Sequence, residues 1–118
     1  MSEQFLIRGR RKLHGQIQVR GAKNASFPLL AACLLTKEPC FLSNLPLVQD
    51  VLRQLSILET IGAKVTWLSK RSIKLTCSDI DPKNLPFDII TYFRGSIVFI
   101  GPLLARFGKI KFPLPGGC

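Results

Sequence analysis

The stretch Arg20-Gly21-Ala22-Lys23-Asn24-Ala25-Ser26-Phe27-Pro28-Leu29-Leu30-Ala31 reads as a glycine-led turn carrying a lysine and an asparagine, followed by an apolar run. Its frame returns 74 residues later as Arg94-Gly95-Ser96-Ile97-Val98-Phe99-Ile100-Gly101-Pro102-Leu103-Leu104-Ala105. Arg, Gly, Pro, Leu, Leu and Ala keep the same internal spacing. A repeated unit with one copy chemically decorated predicts a scaffold of repeats bearing a site at the decorated end.

Working outward, the apolar residues are nearly continuous from Ala25 to Leu35, which predicts a helix buried on most sides with Pro28 in its first turn. Before it, Phe5–Arg8 and Gln16–Arg20 predict two short strands joined by a basic turn, Ile17 and Val19 alternating with Gln16 and Gln18. After it, Cys40-Phe41-Leu42 predicts a short strand. Leu47, Val48, Val51, Leu52, Leu55, Leu58 and Ile61 follow helical spacing, with Pro46 as a first-turn proline and Gly62 at the C-cap. Ala63–Trp67 and Ser72–Cys77 predict a hairpin, with Trp67 packing on the sheet. Asp79–Pro86 is a polar connector. Asp88–Phe107 predicts a helix interrupted by Pro102 and ended by Gly108, and Lys109–Phe112 a last strand. From Ala22 the order is helix, strand, helix, strand, strand, then helix, strand. This is an α/β pattern that stops in mid-repeat, as a fragment does.

The chain has 118 residues, 47% hydrophobic and 20% charged, enough for one domain with a buried core. Its apolar runs fall short of the roughly 18 to 20 residues of a membrane span. Met1-Ser2-Glu3-Gln4 lacks the basic and apolar regions of a secretory signal, so a cytoplasmic address is expected. Cys33, Cys40, Cys77 and Cys118 are widely separated without a CxxC pair, so no metal site is expected, and Cys33 reads as a core thiol. A net charge of +10 is spread along the chain without an aromatic-rich basic motif. A solvated face with some attraction for anionic substrate is the main reading, and a small basic nucleic-acid-binding domain the alternative.

Four residues are site candidates. Lys23 lies at the start of a buried helix, where backbone N–H groups and an ammonium together suit a phosphate or carboxylate; a plain surface lysine is the other reading. Asn24 beside it is also a possible N-cap. Arg94, at the corresponding edge of the second copy, offers a planar fork for the same groups. Cys118, in Pro115-Gly116-Gly117-Cys118, has the room a reactive thiol needs as general acid or nucleophile, or is an ordinary exposed thiol. His14, the single histidine, takes no role. There is no Ser-His-Asp constellation, P-loop or GxGxxG.

Gly21-Ala22-Lys23-Asn24-Ala25, Arg94, Gly101-Pro102-Leu103-Leu104-Ala105-Arg106-Phe107-Gly108 and Leu114-Pro115-Gly116-Gly117-Cys118, in this order, resemble the N-terminal part of the enolpyruvyl transferase family. Within it the resemblance is to the UDP-N-acetylglucosamine 1-carboxyvinyltransferases. The shikimate-pathway members, with a Gly-Ser-Lys-type turn and no such cysteine loop, are less similar. The resemblance runs through the whole chain but covers only the first part of a longer enzyme. It implies an inside-out α/β barrel of βαβαββ repeats, of which about one and a half are present. Repeat one is residues 22–78 and the start of repeat two is 87–118, both within a first domain from residue 21. Residues 1–20 are implied to be strands of a second domain.

The implied reaction moves the enolpyruvyl group of phosphoenolpyruvate to the 3′-hydroxyl of UDP-N-acetylglucosamine and releases phosphate, at the start of peptidoglycan synthesis, with no cofactor or metal. Lys23 is implied to contact phosphoenolpyruvate, with Asn24 beside it, and Arg94 the nucleotide-sugar. Cys118 is implied to be the proton donor and fosfomycin target. Val98 and Phe99 stand where the family often has a tryptophan. Further site residues of the family, an arginine on the Cys118 loop and later an aspartate and an arginine, fall beyond Cys118. The chain alone is therefore expected to be inactive.

Overall fold

The computed structural model describes residues 2–114. Its elements are α1 (Lys23–Ala32), β1 (Cys40–Leu42), α2 (Gln49–Thr60), β2 (Lys64–Ser69), β3 (Ser72–Thr76), α3 (Phe87–Tyr92) and α4 (Ile100–Phe107). Short 3-10 turns occupy Cys33–Leu35, Pro82–Asn84 and Arg94–Phe99. The α/β class and the order of elements from Ala22 to Thr76 are those the sequence predicts.

The strands form one sheet in the order β1-β3-β2, with β3 antiparallel to both neighbours. β1 and β2 therefore run parallel to each other, and α2 is the crossover that connects them. Leu42 and Trp67 register on Ile73, and Cys40 and Val65 on Leu75. Ile73 and Leu75 of the central strand are fully buried under the helices. Trp67 shares their register, yet nearly half of it is exposed, because β2 is an edge strand and its pairing is irregular between Trp67 and Ser69.

α2 buries Val51, Gln54, Leu55, Ile57 and Leu58. Leu52, on the predicted apolar stripe, is instead exposed, and the polar Gln54 takes a core place. Gln54 is accommodated because its Nε2 donates to the Phe27 carbonyl at 2.7 Å, which joins α2 to α1. α2 also starts later than predicted. Val48 is its N-cap, so Pro46 precedes the helix, while Gly62 follows the C-cap residue Ile61 at φ +118. A Cβ there would strike the Asp79 carbonyl, so glycine is required both by conformation and by space.

Five other predicted elements are corrected. α1 begins at Lys23, not Ala25, and Pro28 is its sixth residue, past the first turn. The proline there removes the N–H that would reach the Asn24 carbonyl. The long second helix breaks at Phe93, which is extended (φ −128, ψ 96), and Pro102 lies within α4. A 3-10 turn intervenes before α4 starts. Finally, neither Phe5–Arg8, Gln16–Arg20 nor Lys109–Phe112 forms a strand. A strand needs a ladder partner, and none is available to them among the described residues. Ile110 and Phe112 pack against the core instead, whereas Phe5, Leu13 and Ile17 stand almost wholly exposed.

Arg106 ties the start of the second copy to the first. Its guanidinium donates to the carbonyls of Leu34 (3.0 Å), Cys77 and Ser78 (3.0 Å), at the ends of the 3-10 turn after α1 and of β3. Carbonyls at element ends lack intrinsic partners, and one planar fork serves three of them.

Candidate active site

The starts of α1 and α2 are brought side by side by backbone contacts. Gly21 donates its N–H to the Asn44 carbonyl at 3.0 Å, and a Cβ on Gly21 would run into that same oxygen. Asn44 itself adopts φ 55, a left-handed conformation asparagine tolerates, and its Nδ2 holds the Val19 carbonyl at 3.2 Å. The chain entering α1 is thus pinned to the turn that leads, through the buried Leu45 and Pro46, into α2. Lys23 is the first residue of one helix and Asp50 the second residue of the other, and they meet at 3.2 Å.

One turn along α2, Arg53 reaches the other oxygen of Asp50 at 3.3 Å. Asp50 in a first helical turn is favoured by the helix dipole, whereas Lys23 in that position is disfavoured by roughly 0.3 to 1 kcal/mol unless an anion compensates. Asn24 is the second residue of α1. The N-cap is Ala22, with no side-chain cap bond, so the capping reading of Asn24 does not hold.

The second copy supplies the opposite wall. The break at Phe93 sends Arg94 outward, and among the described residues the Arg94 side chain has no hydrogen bond or ion pair. Phe93 turns inward against Phe27 in an edge-to-face pair, centroids 5.7 Å apart at 75°. Gly95 follows, and a Cβ there would lie 2.6 Å from the Phe93 ring and 2.9 Å from that of Phe27. The aromatic pair is the floor of the site, and Gly95 lets the backbone pass over it.

These parts enclose a cleft of about 420 Å³ lined by Lys23, Asn24, Phe27, Asp50, Arg53, Arg94 and their neighbours. Lys23, Asn24 and Arg94, expected from the sequence at the leading edges of the two copies, line one cleft. Cys118 lies outside the described residues. Asp50, Arg53 and the aromatic floor were not predicted. Their only sequence signal is that Asp50 and Arg53 stand one turn apart at the start of an amphipathic helix. Three cations face one carboxylate, leaving two positive charges in excess, which suits a dianion. Among the described residues no group of three or more His, Cys, Asp or Glu side chains could hold a metal ion, and no helix is long and apolar enough to cross a membrane.

A helical layer on an antiparallel sheet, with Lys23, Arg53 and Arg94 around one cleft, defines an α/β domain whose cleft carries an excess of positive charge. The chain belongs to the EPSP synthase (3-phosphoshikimate 1-carboxyvinyltransferase) family, whose sequence profile matches residues 7–118. It is 41% identical, over 98% of its length, to the UDP-N-acetylglucosamine 1-carboxyvinyltransferase of Hydrogenovibrio crunogenus. It is 46% identical over 95% to the enzyme of that name from Wolinella succinogenes. The chain spans 28% and 27% of those two proteins, about a quarter of each. Its fold is similar to that of the enolpyruvyl transferase NikO from Streptomyces tendae, with a TM-score of 0.71 and 23% identity over 85% of this chain and 23% of that one.

Proposed function

We propose that the chain is the first part of a UDP-N-acetylglucosamine 1-carboxyvinyltransferase, and that its cleft is one wall of the active site. On this reading Lys23 binds the charged end of phosphoenolpyruvate, Asn24 contacts the ligands beside it, and Arg94 holds the nucleotide-sugar. Cys118 delivers a proton to the methylene carbon as the sugar 3′-hydroxyl, giving up its own proton, adds to the neighbouring carbon; phosphate and one proton of the new methyl group then leave, which restores the double bond as the enolpyruvyl ether. A dianionic substrate needs fixed cations, and an acid on a loop suits protonation of carbon. Residues 1–20 act as strands of a second domain, which accounts for strand-like segments that have no ladder partner among the described residues. Residues 22–78 and 87–118 are successive repeats of the first domain. The reading carries with it a role in peptidoglycan synthesis and a cytoplasmic setting.

The observation that carries the proposal is the meeting of Lys23, Asn24 and Arg94 in one cleft, in a chain over 40% identical to enzymes of that name. Substrate choice is tested by a hybrid. Residues 1–118 replace the matched segment of the Wolinella succinogenes relative, and phosphate release from phosphoenolpyruvate is followed. The hybrid is expected to turn over with UDP-N-acetylglucosamine and not with shikimate 3-phosphate, and Lys23→Ala in it to lower the rate at least about a hundredfold, as loss of a charge contact at a reacting group does. A folded hybrid that prefers shikimate 3-phosphate refutes the proposal. The 118-residue chain alone is expected to release no phosphate.

A further inference from the structure

We infer that Arg53 is a further binding residue for the anionic part of the substrate, held ready at the cleft by Asp50. The inference rests on the anion-binding reading of the cleft and adds to it a side chain that the repeat does not mark.

Arg53 projects from the polar face of α2, and it lines both the main cleft and an adjoining one of about 300 Å³ formed with Asp88, Ile89, Tyr92 and Phe93. It therefore sits between them, linked to Lys23 through Asp50 and lining the same cleft as Arg94. A guanidinium carries five N–H donors. Among the described residues the Arg53 side chain makes a single hydrogen bond, Nη1 to Asp50 Oδ1 at 3.3 Å. Asp50 in turn spends its other oxygen on Lys23.

One carboxylate with two cations leaves both under-neutralised. It also fixes where they point. Lys23 is constrained from the first turn of α1 and Arg53 from the second turn of α2, so Asp50 sets the spacing of two cations that come from different helices. Lys23, Asp50 and Arg53 side chains keep 47%, 33% and 44% of their surface exposed, so an incoming anion reaches them without unfolding anything. A phosphate or carboxylate entering between Lys23 and Arg94 finds the unused N–H groups of Arg53 on the third side, in the forked geometry that suits such oxygens.

The test is a titration of the ¹⁵N-labelled chain with phosphoenolpyruvate at low salt, reading backbone amides of Lys23 and Gly95 and the Arg53 Nε–Hε signal, which is assigned by its loss in Arg53→Gln. The Arg53 signal is expected to move together with the Lys23 amide. Arg53→Gln is expected to weaken binding roughly three- to tenfold, the range for one partly exposed charge acting on a dianion, and Arg53→Lys to restore only part of it, the charge without the fork. Urea midpoints are expected to stay unchanged, since an exposed pair contributes little to stability. Equal affinity of the unsubstituted chain and Arg53→Gln, with an unmoved Arg53 signal, overturns the inference alone. No response at Lys23, Gly95 or Arg53 at millimolar ligand overturns the anion-binding reading as well.

Discussion

The two copies of the repeated frame share letters and part company in shape. After Gly21 the first copy enters an α-helix within two residues; after Gly95 the second makes a 3-10 turn and becomes α-helical only at Ile100. The leucine pairs show how far this goes. In the first copy Leu30 is fully buried and Leu29 is 57% exposed, while in the second Leu103 is fully buried and Leu104, the counterpart of Leu30, is 43% exposed. Moving the buried position by one residue rotates a helix by about 100°. What the copies hold in common is their leading edge, where a glycine permits close approach and a nearby cation faces the cleft. The repeat preserves the site's frame and leaves each helix to find its own packing phase.

The largest expected effect follows from that phase difference. Leu30→Ala and Leu103→Ala each open a cavity in the core and are expected to cost about 2 to 5 kcal/mol. Leu29→Ala and Leu104→Ala, at exposed positions, are expected to stay within about 1 kcal/mol of the unsubstituted chain. Urea unfolding followed by circular dichroism measures all four. If instead Leu30 and Leu104 behave alike, and Leu29 and Leu103 alike, the two helices pack in the same phase and the comparison fails.

The leading glycines are expected to come next. Gly21→Ala drives a methyl into the Asn44 carbonyl, and Gly95→Ala drives one into the rings of Phe93 and Phe27. Overpacking of this kind costs about 1 to 3 kcal/mol. Gly21→Ala is expected to be the more damaging, because its obstacle is backbone and cannot rotate away. Gly101 has open space within 4 Å of a Cβ, so Gly101→Ala is expected to be neutral or to stabilise by up to about 1 kcal/mol. A glycine series with no difference between Gly21, Gly95 and Gly101 would show that the leading edge is not sterically set.

How much of this was legible in the sequence differs by length scale. The hairpin of β2 and β3 and the crossover α2 were readable because alternation and helical spacing are local signals that the sheet then rewards. Lys23, Asn24 and Arg94 were readable as a set because the repeat put them at corresponding edges, and the cleft gathers them. The start of α1 differs from the expected one because its cue is not in its own residues: Gly21 is fixed by a carbonyl at Asn44, beyond any local window. The core place of Gln54 has no local cue for a related reason, since a glutamine reads as surface until the Phe27 carbonyl is placed against it. Asp50 and Arg53 give no such signal, because a first-turn acid with a base one turn later is an ordinary exposed pair on most helices. Only the neighbouring helix end makes it part of a site. Of the strands expected, residues 16–20 and 109–112 have the right alternation and residues 5–8 a short apolar run, but pairing is not a local property.

The smallest effect tests the far ends of the same two helices. Cys33 follows α1 where Phe107 ends α4. Cys33 is buried close to Cys77 and Cys40, and burial, with the Cys40 thiol as the next contribution, pushes it from an ordinary 9.0 up to about 12. Burial likewise pushes Cys77 up to about 11, against an opposing pull from Arg106. A raised thiol keeps its proton in the folded chain while the unfolded chain loses it. Between pH 9 and about 11 to 12 the folded state therefore binds more protons, and stability falls as pH rises. The contribution is fully present below pH 9. Urea midpoints of the unsubstituted chain and of Cys33→Ala are expected to run parallel from pH 7 to 8.5. Above that the unsubstituted chain is expected to lose stability more steeply, because it alone retains that buried proton. At pH 7.5 a disulfide reagent is expected to label the half-buried Cys40 well before Cys33 or Cys77, since only the thiolate attacks and both buried thiols hold their protons. Parallel curves through pH 10.5, or Cys33 reacting first, would mean that the turn after α1 opens to solvent as freely as the exposed end of α4.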